Sequence, residues 1–189
     1  MKILLASQSP RRKELLSGLG FGFNVVKIDC DEILPQEIEP KNAASYLSEL
    51  KANTYQNLQA DEVLITADTV VVFKENILGK PKDRNEAFET IRKLSGSQHQ
   101  VFTGITVKNI YKSITETDVA TVYFDEISDD EINYYIDAFK PFDKAGSYGI
   151  QEWIGMAKIK KIEGSFYTIM GLPTHLLYKM IRDINDSSL

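Results

Sequence analysis

Ile3-Leu4-Leu5-Ala6-Ser7-Gln8-Ser9-Pro10-Arg11-Arg12-Lys13-Glu14-Leu15-Leu16-Ser17-Gly18-Leu19-Gly20 is the stretch on which the fold turns. Residues 3–6 form a short apolar run of the kind a buried strand uses. Ser9 is a good helix N-cap and Pro10 is favoured at the first helical position, which predicts a helix to about residue 19, stopped at Gly20. The chain continues in the same alternation. A strand is expected over 23–28, then a polar loop over 29–40. An amphipathic helix is expected over 42–58, with Ala43, Tyr46, Leu47, Leu50 and Thr54 on one face. Residues 63–67 and 69–73 read as two strands, or one interrupted near Asp68. A helix over 85–94 ends at Gly96. An antiparallel pair over 100–107 and 118–124 follows. Ser128-Asp129-Asp130-Glu131 is a capping box before a helix to about 138. The last helix is expected over 172–184, with Pro173 in its first turn. The alternation lacks a strict βαβ rhythm, so the expected class is α/β with a mixed sheet flanked by helices.

Composition fits that class. The chain has 189 residues, 43% of them apolar and 26% charged, and no segment reads as a linker or repeat. The longest apolar runs, such as Val70-Val71-Val72-Phe73, fall far short of the ~20 residues of a membrane helix. The net charge is −5, so no electrostatic footprint for duplex nucleic acid exists. One cysteine, Cys30, and two histidines, His99 and His175, leave no thiolate or imidazole metal centre. A metal would be held by carboxylates, and so be a hard ion such as Mg²⁺ or Mn²⁺. The apolar start is too short for a signal-peptide core. A cytoplasmic protein with no membrane and no nucleic-acid partner is expected.

Four places could carry chemistry. At the start of the first helix stand Arg11, Arg12 and Lys13, where acidic residues are the norm. Cations there oppose the helix dipole, at a cost of ~0.3–1 kcal/mol each. An anion bound at the helix N-terminus would explain them, since Arg forks match phosphate oxygens; solvation or pairing with Glu14 is the alternative. Asp68 is a carboxylate inside an apolar strand, a position for a general base or a metal ligand; a turn aspartate is the alternative. Lys80 gains a defined direction from Pro81, whereas Lys51 reads as a surface lysine on its helix and Asp29, Asp31 and Glu32 as a solvated acidic loop. In Ala145-Gly146-Ser147-Tyr148-Gly149-Ile150-Gln151, two glycines permit close backbone approach to a ligand. There Gln151 could read a base edge, or the segment is a plain turn. His99 and His175 are expected to be structural, and Trp153 to pack or form a rim.

These pieces together resemble the Maf family of nucleoside triphosphate pyrophosphatases. The resemblance runs over nearly the whole chain. It includes Leu5 to Arg12, Asp31-Glu32, Lys51-Ala52, Ala67-Asp68-Thr69-Val70, Gly79-Lys80-Pro81 and Leu94-Ser95-Gly96. It continues through His99-Gln100-Val101, Thr103-Gly104, Ala145 to Gln151 and Gly171-Leu172-Pro173. It implies a single domain over 1–189 with two lobes around one cleft, similar to the inosine triphosphate pyrophosphatases, and often dimeric. It implies hydrolysis of a nucleoside triphosphate to the monophosphate and pyrophosphate with a divalent cation. By position, Asp68 matches the proton acceptor; Ser7, Arg12, Lys51 and Lys80 match residues at the phosphate end; Glu32 matches the acid near the metal, which Asp68 also serves. Arg11, Thr69 and Gln151 match the branch acting on dTTP and UTP, rather than the branch acting on 7-methyl-GTP, which has an aromatic, a Gln and a Glu there. CTP and modified pyrimidine nucleotides fall within the same expectation; a nucleotide-binding regulator of cell division is the rival from another class. Two departures stand out: Leu50 where the family often has Glu, and Glu152 where it usually has Gly.

Overall fold

A computed structural model describes residues 1–186. The chain divides into two compact units. The first comprises Met1–Asp68, Thr103–Asp118 and the part from Gly171 onward; the second comprises Thr69–Phe102 and Val119–Met170. Seven strands form one mixed sheet in the order β2 (Phe23–Val25), β1 (Lys2–Leu5), β3 (Glu62–Phe73), β5 (Gln98–Lys108), β6 (Ser113–Phe124), β7 (Ile159–Glu163), with β4 (Asn76–Leu78) paired to β3. The class expected from the sequence, α/β with a mixed sheet and flanking helices, is the one observed.

In the first unit β1 (Lys2–Leu5) leads into α1 (Pro10–Gly18), and β2 (Phe23–Val25) returns beside β1. The pairing is parallel, Ile3 opposite Phe23, and β3 (Glu62–Phe73) pairs parallel on the other edge of β1, Ile3 opposite Val63. Parallel neighbours need a crossover, and α1 and α2 (Pro40–Thr54) supply it. Leu4, Ala52 and Leu64 are buried together, sealing α2 onto this part of the sheet. The helix starts at Pro40 rather than at residue 42, because proline is suited to the first turn. It ends at Thr54, four residues before the expected stop, where Tyr55 turns extended. β2 is likewise shorter than the expected 23–28.

β3 is one strand, not two. Asp68 and Thr69 do not break it, since an extended residue with a polar side chain still donates and accepts in the ladder. β5 (Gln98–Lys108) and β6 (Ser113–Phe124) are the expected pair, both longer than read. A turn closed by Asn109 N–H to Lys112 O at 2.9 Å joins them, and a link this short serves only antiparallel neighbours. The C-terminal helix α7 is Thr174–Asp186; Leu172 and Pro173 lie just before it rather than inside it.

In the second unit β4 (Asn76–Leu78) folds back on β3, with Val71 opposite Leu78. Lys74 and Glu75 at the tip both have positive φ, 47° and 67°. Two left-handed residues make the primed two-residue turn, and without its usual Asn-Gly signature the hairpin left no mark in the sequence. α3 (Arg84–Leu94) is capped by Asp83, whose side chain accepts from Glu86 N–H at 2.8 Å. α4 (Asp129–Phe139) carries the expected capping box: Ser128 Oγ accepts from Glu131 N–H, and Glu131 accepts from Ser128 N–H at 2.8 Å. A single 3₁₀ turn (Ala145–Ser147), α5 (Trp153–Lys158), β7 (Ile159–Glu163) and α6 (Phe166–Met170) complete it. These short pieces escaped the sequence reading because none is long enough to show a period. Ile91, Leu94, Phe124, Ile132, Tyr135, Ile136, Tyr148 and Ile154 form their common core.

Candidate active site

β3 is buried along its length except at its two ends and at Asp68 and Thr69. The two polar residues stand side by side, and strand alternation sends them to opposite faces. Thr69 begins the second unit; Asp68 ends the first segment of the first.

Asp68 meets Lys51. The ammonium donates to Asp68 Oδ2 and lies 2.9 Å from Glu32 Oε1. Lys51 and Asp68 are only 15% and 14% exposed, against 51% for Glu32. The sequence reading of Lys51 as a surface lysine is therefore corrected. Its position follows from how α2 is seated. A Cβ at Gly104 would stand 2.4 Å from the Ala44 and Ser45 backbone, so only glycine lets β5 approach the helix this closely. Ser48 Oγ and Thr106 Oγ1 are 2.7 Å apart, and Thr66 Oγ1 donates to Ser48 O at 2.6 Å. Lys108 donates to Ala52 O at 3.2 Å, satisfying a carbonyl near the helix C-terminus. These bonds fix the turn of α2 that carries Lys51. The acidic loop read as solvated also supplies one partner, Glu32.

At the start of α1, Ser7 is buried and its Oγ accepts from Ser9 N–H at 3.2 Å. Ser9 occupies the N-cap position but makes no side-chain cap bond, and no acid stands in the first turn. Arg12 is half-buried and donates from Nε to Gly171 O at 2.8 Å. Burial lowers its pKa; Asp68 and Glu32 oppose that shift and Arg11 adds to it. Arg12 thus feels both carboxylates that Lys51 holds. Ser7, Arg11, Arg12, Glu32, Lys51 and Asp68 all belong to the first unit.

Thr69, Lys80 and Gln151 belong to the second unit. Lys80 is exposed beside the buried Pro81, and Gly79 O accepts from Gly146 N–H at 3.2 Å, tying the Lys80 loop to the turn that precedes Gln151. Gln151 is exposed and lines a cavity of about 490 Å³ with Ile150, Met156, Lys161, Ile162 and Phe166 among its walls. Glu152 accepts from Tyr135 O–H and lies 3.1 Å from Lys144 Nζ. Burial, then the bond to Glu152, raises the Tyr135 pKa. Sequence reasoning missed this cluster; its one signal was the carboxylate directly after Gln151.

His99 is structural as expected: it is buried, shares a 2.7 Å hydrogen bond with Tyr148 Oη, and burial pushes its pKa down to about 4. His175 is not; its side chain is 62% exposed, 3.9 Å from Asp118. Trp153 packs against the second core, edge-on to Tyr134. Among the described residues no group of three or more His, Cys, Asp or Glu side chains gathers as a metal cage. No helix among them is long and apolar enough to cross a membrane.

Comparison with known proteins places relatives beside this geometry. The model for Maf-like proteins matches residues 2–184. A dTTP/UTP pyrophosphatase of Porphyromonas gingivalis (strain ATCC 33277) is 48% identical over 191 residues, covering 99% of this chain and 96% of that protein. One from Bacteroides thetaiotaomicron is 46% identical, covering 97% and 96%, and one from Flavobacterium psychrophilum 44%, covering 94% and 91%. Among solved structures, the Staphylococcus aureus Ham1 protein aligns with a TM-score of 0.45 at 17% identity, over 68% of this chain and 73% of that one.

Proposed function

The chain belongs to the Maf family, and from that premise we propose that it hydrolyses dTTP and UTP to the monophosphate and pyrophosphate. The reading extends to a single Maf-like domain over the chain. The observation that carries it is the Lys51 ammonium held between Asp68 and Glu32, within the field of Arg12. A phosphate-cleaving site needs cations for the anionic chain and a carboxylate to take a proton from water. That set supplies both.

In the reaction, water attacks at the α–β anhydride, the bridging P–O bond breaks, and pyrophosphate leaves with the electron pair. Asp68 takes the proton from the water. Lys51 aims that carboxylate through the contact its ammonium makes with Oδ2. Ser7 and Arg12, at the start of α1, take phosphate oxygens, and Lys80 adds a further positive charge. Arg11, Thr69 and Gln151 choose the base; Gln151 offers a donor and an acceptor to the O4/N3 edge of an uncharged pyrimidine.

The residues also fit a divalent cation. Two carboxylates are too few for a protein cage, but Mg²⁺ is commonly held by one or two carboxylates together with substrate phosphates. Glu32 and Asp68 would hold it, with Lys51 yielding part of its contacts. When bound, the ion neutralises phosphate charge and lowers the barrier for water to attack.

The test is pyrophosphate release from dTTP, UTP, CTP, dATP, dGTP and 7-methyl-GTP, each with Mg²⁺, with Mn²⁺ and with chelator. dTTP and UTP are expected to lead. Preference for 7-methyl-GTP would place the chain in the sister branch, and release from none would remove the enzymatic reading.

A further inference from the structure

Gln151 projects from a turn closed at both ends. Glu152 N–H donates to Gly149 O at 3.0 Å, the bond that defines a four-residue turn over 149–152. Beneath the turn runs a chain of hydrogen bonds. Gly149 N–H donates to Tyr135 Oη at 2.9 Å, and Tyr135 O–H donates to Glu152 Oε2. The other carboxylate oxygen, Oε1, lies 3.1 Å from Lys144 Nζ. Tyr135 is fully buried, Lys144 is 9% exposed and Glu152 16%. A Cβ at Gly149 would sit 2.7 Å from the Glu152 carboxylate, so the glycine makes room for that acid to lie over its own turn. A charged group this sheltered is costly unless each oxygen is matched. Here each oxygen has its own donor, and the result ties the turn to α4.

We propose that Glu152 is a positioning residue: clamped by Tyr135 and Lys144, it fixes the turn that carries Gln151 and so sets the choice of base. The amide of Gln151 is exposed, and the direction in which it meets a ligand follows from the turn beneath it. Glu152 touches no substrate atom in this account. Its effect reaches the base only through Gln151, so the proposal rests on the reading of Gln151 as a base-selecting residue.

Four proteins test it: wild type, Tyr135→Phe, Glu152→Gln and Gln151→Ala. Each is measured for kcat and KM with dTTP and with 7-methyl-GTP, for melting temperature, and for hydrogen exchange at the Gly149 amide. Tyr135→Phe removes the acceptor of that amide and one donor to Glu152. Glu152→Gln leaves only one of the two carboxylate acceptors. Both are expected to raise KM for dTTP and to lower the dTTP preference about tenfold, the effect of one charge-assisted hydrogen bond. kcat should stay within about threefold, because Asp68 and Lys51 are untouched. Gly149 exchange should quicken at least about tenfold in Tyr135→Phe. A loss of kcat and KM alike for both nucleotides, tracking the melting temperature, would make the cluster merely structural and overturn the proposal. So would a wild-type preference in folded Tyr135→Phe and Glu152→Gln when Gln151→Ala shifts it. If Gln151→Ala itself leaves the preference unchanged, the base-selecting role of Gln151 fails. Unchanged Gly149 exchange would remove the clamp independently. Should Tyr135→Phe fail to fold, Glu152→Gln decides the preference.

Discussion

Lys51, on the inner side of α2, donates its ammonium to the carboxylate of Asp68, the residue at which β3 passes from the first unit to the second. A lysine and an aspartate seventeen positions apart are thereby joined in one ion pair. Asp68→Asn should cut turnover ~10²–10⁴-fold, the usual cost of losing a general base, while nucleotide binding stays measurable. Lys51→Met should cost a similar factor. The double variant should be little worse than either single, because partners in one unit do not add. Steady-state rates of the three variants check this; additive losses would separate the two residues.

Arg12 and Lys80 are assigned to the phosphates, so their loss should discriminate by charge. Arg12→Ala and Lys80→Ala are expected to weaken a non-hydrolysable dTTP analogue at least about tenfold and thymidine hardly at all. Calorimetric titration with both ligands measures it. Equal loss for both would contradict a phosphate role.

Gln151→Glu should turn the base preference. A carboxylate facing an uncharged O4 opposes two acceptors, and an unmatched buried polar group costs ~1–3 kcal/mol. That is roughly a tenfold to hundredfold fall in kcat/KM for dTTP and UTP, with 7-methyl-GTP gaining from the new negative charge. The ratio of kcat/KM for the two substrates reads it; an unchanged ratio removes Gln151 from base selection.

His99 gives the fold a pH dependence of known sign. Its pKa is pushed down to about 4 by burial, against 6.5 unfolded. The unfolded chain therefore binds the proton first as pH falls below 6.5. Stability from this group is whole above that value and is lost progressively down to about pH 4, a loss on the order of 3 kcal/mol. His99→Gln should flatten urea stability between pH 6.5 and 4. A variant with the wild-type slope would assign the dependence elsewhere.

Much of this was legible in the chain itself. Residues 3–12 gave strand, turn and helix because apolar run, Ser and Pro act locally. Asp68 stood out for the same reason: a charge among β-branched residues is visible without any contact. Lys51 was not legible as a buried partner, since its burial depends on Gly104 and Thr106, more than fifty residues away, drawing α2 onto β5. The Tyr135, Lys144 and Glu152 cluster was hidden likewise, because its members come from α4, a loop and the start of α5. β4 was missed because its turn uses Lys74 and Glu75 in a backbone region normally given to Asn and Gly.

Product analysis tests the central claim most directly. Purified protein with dTTP and Mg²⁺ is followed by ion-exchange chromatography, with Asp68→Asn run in parallel. The account predicts dTMP and pyrophosphate in equal amounts, no dTDP or free phosphate at early times, and a rate at least about a hundredfold lower in the variant. Release of dTDP and phosphate, or equal rates in the two proteins, would contradict it.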